Sequence, residues 1–251
     1  MKIIQINYLT YYFLLIYFLC GFIKEGIIIF IIVFIHELGH AFFANLFNFN
    51  IISITIYPFG GITKMKKDIN TPLNEDLLIS IGGFIFQFIL YLIFLIINLN
   101  GFISNKTFEI FNFYNKMILL FNLLPIIPLD GSYISENILS RIFPYKIVLF
   151  TNVILSIFCF IIFIYYNYSY NLNNYIIISF LFFKILENLK NKKNIFNKFL
   201  LERYLYSYNF KKLENINSID TSKIKKDTYS YFWKEFCYVS EKDILNKKYN
   251  K

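Results

Sequence analysis

Residues 26–47 read GIIIFIIVFIHELGHAFFANLF, an apolar segment that carries the only two histidines of the chain. His36 and His40 lie four residues apart, with Glu37 between them. On a helix, two such residues lie about 40° apart around the axis and about 6 Å apart along it, so both imidazoles project from one face. This geometry suits one zinc ion, with the glutamate close enough to act on a zinc-bound water. Ionisable residues inside an apolar segment are costly and usually functional, so we expect a metal site here.

The composition is that of a membrane protein. Hydrophobic residues make up 57% of the 251 residues and charged residues 16%, against about 25% charged in an ordinary soluble domain. The three cysteines, Cys20, Cys159 and Cys237, have no CxxC spacing and are odd in number. We therefore expect free thiols, with neither a disulfide framework nor a cysteine metal site.

Six apolar runs predict the fold class, an all-α polytopic membrane protein with about six transmembrane helices. The first run has no small-residue cleavage site after it, which favours a span over a signal peptide. The predicted spans are Tyr8–Ile23, Gly26–Phe47, Leu77–Leu99, Phe113–Leu129, Tyr145–Tyr166 and Tyr175–Leu186.

The segment after the second span has a different pattern. Residues 50–63 alternate in polarity and are rich in β-branched side chains, and Pro58 and Gly60-Gly61 interrupt them. The segment is too short to cross a membrane as a helix, so it predicts a small β-hairpin or re-entrant element. Such a backbone is tolerated at membrane depth only where protein or a water-filled cavity satisfies its polar groups.

The charges predict orientation and domain organisation. Residues 188–251 hold 15 Lys or Arg and 7 Asp or Glu, which accounts for +8 of the net charge of +9. After a membrane span, such a basic segment is more typical of contact with anionic lipid than with nucleic acid. We expect a membrane domain at 1–190, a basic cytoplasmic tail at 191–251, and both termini in the cytoplasm. Within the tail, 199–206 and 231–236 are compatible with short amphipathic helices.

A catalytic zinc site takes three protein ligands, and no third histidine exists. Asp130 is the strongest candidate, because it ends an apolar segment and follows two helix-breaking prolines, Pro125 and Pro128. The competing interpretation is an interfacial turn, since Asp-Gly is a common turn pair.

Taken together, these motifs resemble the site-2 protease family, the intramembrane zinc metalloproteases. Its HExxH motif matches residues 36–40, and its second motif, Asn followed by Pro and then Pro-Leu-Asp-Gly, matches residues 122–131. The stretch Pro-Phe-Gly-Gly at 58–61 looks like the branch that includes stage IV sporulation protein FB. The resemblance covers about residues 20 to 190.

The resemblance implies hydrolysis of a peptide bond in or near the transmembrane segment of a membrane-protein substrate. It implies Zn²⁺ as cofactor, a bacterial plasma membrane as location and no nucleic-acid partner. The implied roles are zinc ligation by His36, His40 and Asp130, general-base catalysis by Glu37, a polar catalytic role for Asn122, and substrate contact at Gly60 and Gly61. Strand addition of an extended substrate to residues 51–57 is a further possibility.

Some features depart from the family. Its usual Gly-Pro-x-x-Asn is here Gly82-Gly83-Phe-Ile-Phe-Gln87, which leaves the role of Gln87 undecided. No segment is long enough for a PDZ domain, and the tail is too short for the paired CBS module of some relatives.

Two other functions stay open on the sequence alone. One is a non-catalytic polytopic protein, either a transporter or a pseudoprotease scaffold. The other is a different membrane zinc protease, in which Glu109, Glu136 or Glu187 supplies the third ligand.

Overall fold

The structure is a computed structural model of the 251-residue chain. It describes residues 4–57, 60–166, 172–208, 210, 212–234 and 236–249. Helices α1 to α4 are Tyr8–Leu19, Ile23–Leu46, Leu73–Leu99 and Asn105–Asn122. Helices α5 to α8 are Asp130–Ser140, Tyr145–Tyr166, Leu172–Leu205 and Glu241–Tyr249. Strands β1 to β3 are Ile4–Ile6, Asn50–Tyr57 and Gly60–Lys66, and strands β4 to β6 are Lys212–Ile216, Thr228–Lys234 and Cys237–Ser240.

The chain divides into two compact units. The first contains Met1–Lys67 and Leu78–Leu123, and the second contains Asp68–Leu77 and Leu124–Lys251. Helix α3 begins in a segment of the second unit and continues into the first.

Helix α2 is the centre of the first unit. Its residues Ile28 and Ile32 form an apolar cluster with Leu90 of α3 and Phe111 of α4. On another side, its Ile29 and Val33 pack with Ile56 of β2 in a second cluster. Between helices that cross a membrane, such contacts stabilise the packing through van der Waals attraction, because lipid tails are as apolar as these side chains. The histidine-bearing helix is thus enclosed by two helices and a sheet.

The predicted hairpin is present as β2 and β3, which pair antiparallel from Tyr57 with Gly60 to Asn50 with Lys66. The short strand β1, which the sequence analysis did not identify, pairs parallel with β2 on its other side. The resulting sheet has the order β1-β2-β3. Pro58 and Phe59 lie outside the described residues.

The predicted fourth span, Phe113–Leu129, is helical only in part. Helix α4 ends at Asn122, and helix α5 begins at Asp130. The prolines in between cannot continue a helix, as the sequence predicted. In the second unit, the hydroxyl of Ser156 on α6 donates a hydrogen bond to the carbonyl of Pro125. The segment before Asp130 is therefore anchored to helix α6.

Within the described part of the chain, three helices are long and apolar enough to cross a membrane: Ile23–Leu46, Leu73–Leu99 and Tyr145–Tyr166. Helix α1 is apolar but has only 12 residues. The described chain is mostly helical, as predicted, but it contains two three-stranded sheets and is not all-α. The total of six spans stays a prediction.

The end of the chain folds into the second sheet, with the order β4-β5-β6. Phe232 of β5 is fully buried in a core with Leu245 of α8, Phe199 of α7 and Tyr145 of α6. The prediction of a helix at 231–236 was wrong, because Tyr231 to Lys234 pair with β6. The helix predicted at 199–206 is confirmed as far as Leu205, the end of α7.

Candidate metal centre

Helix α2 brings His36, Glu37 and His40 together. All three side chains are buried, and one ligand atom from each lies within 4.8 Å of the others. The two ring nitrogens Nε2 of His36 and His40 are 3.2 Å apart. The one-face arrangement predicted from the spacing is therefore confirmed in the structure.

Both imidazoles are held at their other nitrogen by helix α3. Nδ1 of His40 lies 2.8 Å from the carbonyl oxygen of Ile79. A carbonyl only accepts hydrogen bonds, so this Nδ1 carries the proton and Nε2 of His40 presents its lone pair. Nδ1 of His36 lies 3.2 Å from Oε1 of Gln87. Contacts of this kind orient the histidine ligands of metal sites.

The separation of the two Nε2 atoms fits zinc. Two nitrogens at about 2.0–2.1 Å from a tetrahedral zinc are about 3.3 Å apart, and the observed distance is 3.2 Å. A Cβ atom on Gly83 of α3 would lie 2.6 Å from both His36 Cε1 and His40 Nε2. Glycine at this position leaves the room in which the two imidazoles converge. The residues present therefore fit a zinc ion.

Strand β3 holds the glutamate. The hydroxyl of Thr63 donates a 2.8 Å hydrogen bond to Oε2 of Glu37. A Cβ atom on Gly61 would lie 2.6 Å from Cδ of Glu37, so only glycine lets the strand approach the carboxylate this closely. A buried carboxylate next to two imidazoles, fixed by a hydroxyl, is arranged to accept a proton from a nearby water.

The other predicted site residues lie on elements other than helix α2. Asn122 is the last residue of α4, and Asp130 is the first residue of α5 in the second unit. Gly60 begins β3, and a Cβ atom there would meet nothing within 4 Å. The zinc-ligand role of Asp130, the catalytic role of Asn122 and the substrate contacts of Gly60 and Gly61 stay predictions.

Sequence reasoning missed two contacts in this site. Thr63 was included only in the strand-like segment, and the role of Gln87 was undecided. A polar side chain in an apolar helix is a signal that could have found Gln87, because a buried amide needs partners. Thr63 gives no such signal, because threonine is common in strands.

Comparisons with known proteins identify the family. A model of peptidase family M50 matches residues 25–105, which include both histidines and Glu37. Stage IV sporulation protein FB of Bacillus subtilis (strain 168) is 32% identical over 189 residues, 74% of this chain and 66% of that protein. The chain belongs to the site-2 protease family.

This chain is also 35% identical to a zinc metalloprotease of Methanocaldococcus jannaschii over 125 residues. Those residues are 47% of this chain and 35% of that protein. The solved structure of the site-2 protease from Methanocaldococcus jannaschii has the same fold, with a TM-score of 0.55 and 23% identity. That match covers 74% of this chain and 89% of the other.

The chain spans less than two thirds of the length of these two sequence relatives. The family and the geometry of His36, Glu37 and His40 agree on zinc as the metal. The activity, substrates and partners of the whole protein are matters of proposal.

Proposed function

We propose that this site-2 protease family member is a zinc metalloendopeptidase that hydrolyses a peptide bond in or near the transmembrane segment of a membrane protein. The observation that carries this proposal is the buried group of His36, Glu37 and His40 on an apolar helix long enough to cross a membrane. Two imidazoles and a carboxylate with this geometry have no structural use that would offset the cost of burying them.

His36 and His40 would hold the metal through Nε2, and Asp130 would supply the third protein ligand. When bound, zinc lowers the pKa of a coordinated water towards about 7 and polarises a carbonyl oxygen. The proposal for Asp130 is supported by its position at the start of α5, directly after the segment that Ser156 anchors.

Glu37 is the proposed proton carrier. Its carboxylate accepts a proton from the water that attacks the scissile carbonyl, and it then gives a proton to the amine that leaves. The hydrogen bond from Thr63 holds Oε2, so the second oxygen, Oε1, is the one we assign to the water. Asn122 is proposed to hydrogen-bond the substrate carbonyl.

The substrate must be extended to be cut, because a helical peptide bond is shielded by its own hydrogen bonds. The sequence suggested residues 51–57 as the strand that pairs with it. In the structure β2 is the central strand of the described sheet, with β3 paired along one side and β1 paired with Ile54 to Ile56 on the other. Strand β1 therefore already occupies part of the edge that was suggested for the substrate. Strand β3 is an edge strand of the described sheet and contacts Glu37 through Thr63. We therefore assign strand addition to β3.

The proposed topology has six spans in a bacterial plasma membrane, with both termini in the cytoplasm. The Lys and Arg excess of the last 64 residues supports this orientation. In this orientation α2 runs inward, so the histidines lie beyond its middle and water reaches them from the cytoplasmic side.

The testing experiment compares wild type with Glu37→Gln, an isosteric change that removes only the proton carrier. We expect Glu37→Gln to keep bound zinc, measured by atomic absorption, and to lose about 10²–10⁴-fold in cleavage rate. Membrane proteins that accumulate uncut in the Glu37→Gln strain would be the substrates. A transporter or a pseudoprotease scaffold would keep its function in Glu37→Gln. Unchanged function of this variant would therefore refute the proposal.

The third ligand needs its own comparison. Asp130→Ala, Glu109→Ala, Glu136→Ala and Glu187→Ala are made one at a time and their zinc content is measured. We expect metal loss for Asp130→Ala alone. Loss in a glutamate variant, with zinc retained in Asp130→Ala, would favour another class of membrane zinc protease.

A further inference from the structure

Gln87 joins three helices of the first unit with one side chain. It lies on α3 in an apolar stretch and is fully buried. Its Nε2 donates a 2.8 Å hydrogen bond to the backbone carbonyl of Asn115 on α4. Its Oε1 lies 3.2 Å from Nδ1 of His36 on α2.

These two contacts fix the direction of the amide. The carbonyl of Asn115 can only accept a hydrogen bond, so the NH₂ end of Gln87 must face it. The oxygen end then faces His36. Because that oxygen can only accept, Nδ1 of His36 must carry the proton, and Nε2 of His36 presents a lone pair towards His40.

We propose that Gln87 is a positioning residue that sets the tautomer and the ring orientation of His36, and thereby the affinity of the site for zinc. This inference rests on the proposed function only in assuming that the two imidazoles hold a metal. Removing the hydrogen-bond partner of a histidine ligand's other ring nitrogen typically lowers metal affinity by about 10–100-fold.

The two histidines differ in how their Nδ1 is held. His40 uses the backbone carbonyl of Ile79, which no side-chain substitution removes. His36 uses a side chain, so its tautomer depends on the residue at position 87. His40 is therefore an internal control for any change made at Gln87.

In the alternative role, which is purely structural, Gln87 connects α3 to α4 through Asn115 and has no effect on zinc binding by His36. Two substitutions separate the roles. Gln87→Met has a similar length and removes both hydrogen bonds. Gln87→Glu keeps an acceptor for His36, and a carboxylate is a common partner of metal-ligating histidine, but an ionised carboxylate cannot donate to the carbonyl of Asn115.

The experiment measures zinc affinity of the full chain in detergent by competition with a chromophoric chelator. We expect Gln87→Met to bind zinc about 10–100-fold more weakly than wild type and Gln87→Glu to stay within about tenfold of it. If both variants lose affinity equally, or if Gln87→Met binds zinc as tightly as wild type, the inference is overturned.

A spectroscopic readout identifies the residue affected. The chain has only two histidines, so ¹⁵N-histidine labelling gives a spectrum of two rings. In the zinc-loaded protein we expect the Nδ1–H signal of His36 to move in Gln87→Met while that of His40 stays. Equal movement of both signals would indicate a general loss of packing and refute the positioning role. If wild type binds no zinc at all, the proposed function fails instead, and the two failures are distinct.

Discussion

The hydroxyl of Thr63 donates a hydrogen bond to Oε2 of Glu37 over 2.8 Å, and so connects strand β3 to the glutamate of helix α2. The same hydroxyl is 3.4 Å from the backbone carbonyl of Glu37. A carboxylate with one oxygen fixed in this way has fewer orientations to lose when it accepts a proton. Strand β3 is therefore part of the geometry of the proposed catalytic site.

Replacing Thr63 with valine removes the hydroxyl and keeps the β-branched shape. A hydrogen bond to a charged group contributes about 1.5–3 kcal/mol, which corresponds to about a 10–150-fold loss in kcat. We expect that loss in Thr63→Val with zinc content unchanged, measured on a substrate found with the Glu37→Gln strain. Thr63→Ser keeps the hydroxyl and should recover most of the rate; equal rates for the two variants would exclude this role.

Gly61 gives a second, steric test of the same contact. A methyl group there would lie 2.6 Å from Cδ of Glu37, so the carboxylate must move. Misplacement of a catalytic group by about 1 Å costs about 10²-fold in rate, and we expect that loss in Gly61→Ala. Gly60→Ala is the matched variant, because its methyl group would meet nothing within 4 Å and would leave Glu37 in place, so it changes only the predicted substrate contact. A rate loss in Gly60→Ala as large as that in Gly61→Ala would show that displacement of Glu37 is not the cause.

The metal-binding pair could be predicted from sequence because it is local. His36 and His40 are four residues apart on one helix, and helical geometry alone brings their rings together. Thr63 and Gln87 reach the site from 26 and 51 residues away along the chain. Their contacts depend on how β3 and α3 pack, which no short-range pattern encodes.

The end of the chain was predicted poorly for a related reason. Residues 231–236 contain enough apolar and charged side chains to be compatible with an amphipathic helix. In the structure Phe232 is buried in a core that also contains residues of α6 and α7. Tertiary packing of this kind overrides local helix and strand preferences. The predicted span Tyr145–Tyr166 coincides with α6 because a long apolar run needs no tertiary information.

Gly83 tests the space between the histidines. A methyl group on Gly83 would lie 2.6 Å from His36 Cε1 and 2.6 Å from His40 Nε2. We expect Gly83→Ala to push the rings apart and to lower zinc affinity at least tenfold, measured by the same chelator competition. Gly61→Ala is the control, since it should lose rate and keep zinc. Retention of full zinc affinity in Gly83→Ala would mean that the rings can move without cost.

The buried ion pair of Arg203 and Glu241 secures the folded end of the chain. The two side chains are almost completely buried, with Nη1 of Arg203 2.9 Å from Oε1 of Glu241. Burial lowers the pKa of the Arg203 guanidinium, and the carboxylate of Glu241 opposes that shift. Arginine nevertheless stays charged at neutral pH, because its guanidinium is the most basic of the ionisable side chains. The pair joins helix α7, which precedes the second sheet in the sequence, to helix α8, which follows it.

Removing one partner leaves a buried charge without compensation, which costs about 3–5 kcal/mol. We expect Arg203→Met to raise amide hydrogen exchange of strand β5, Thr228–Lys234, by at least about 10²-fold. The effect is enlarged because Arg203 also donates hydrogen bonds to Asn70 Oδ1 and to the carbonyl of Thr228. Lys198→Met is the matched control, since Lys198 is a mostly exposed residue of the same helix that pairs with Glu202 over 3.8 Å, and exposed pairs contribute about 0–1 kcal/mol. Similar exchange rates in the two variants would show that the buried pair does not stabilise this part of the chain.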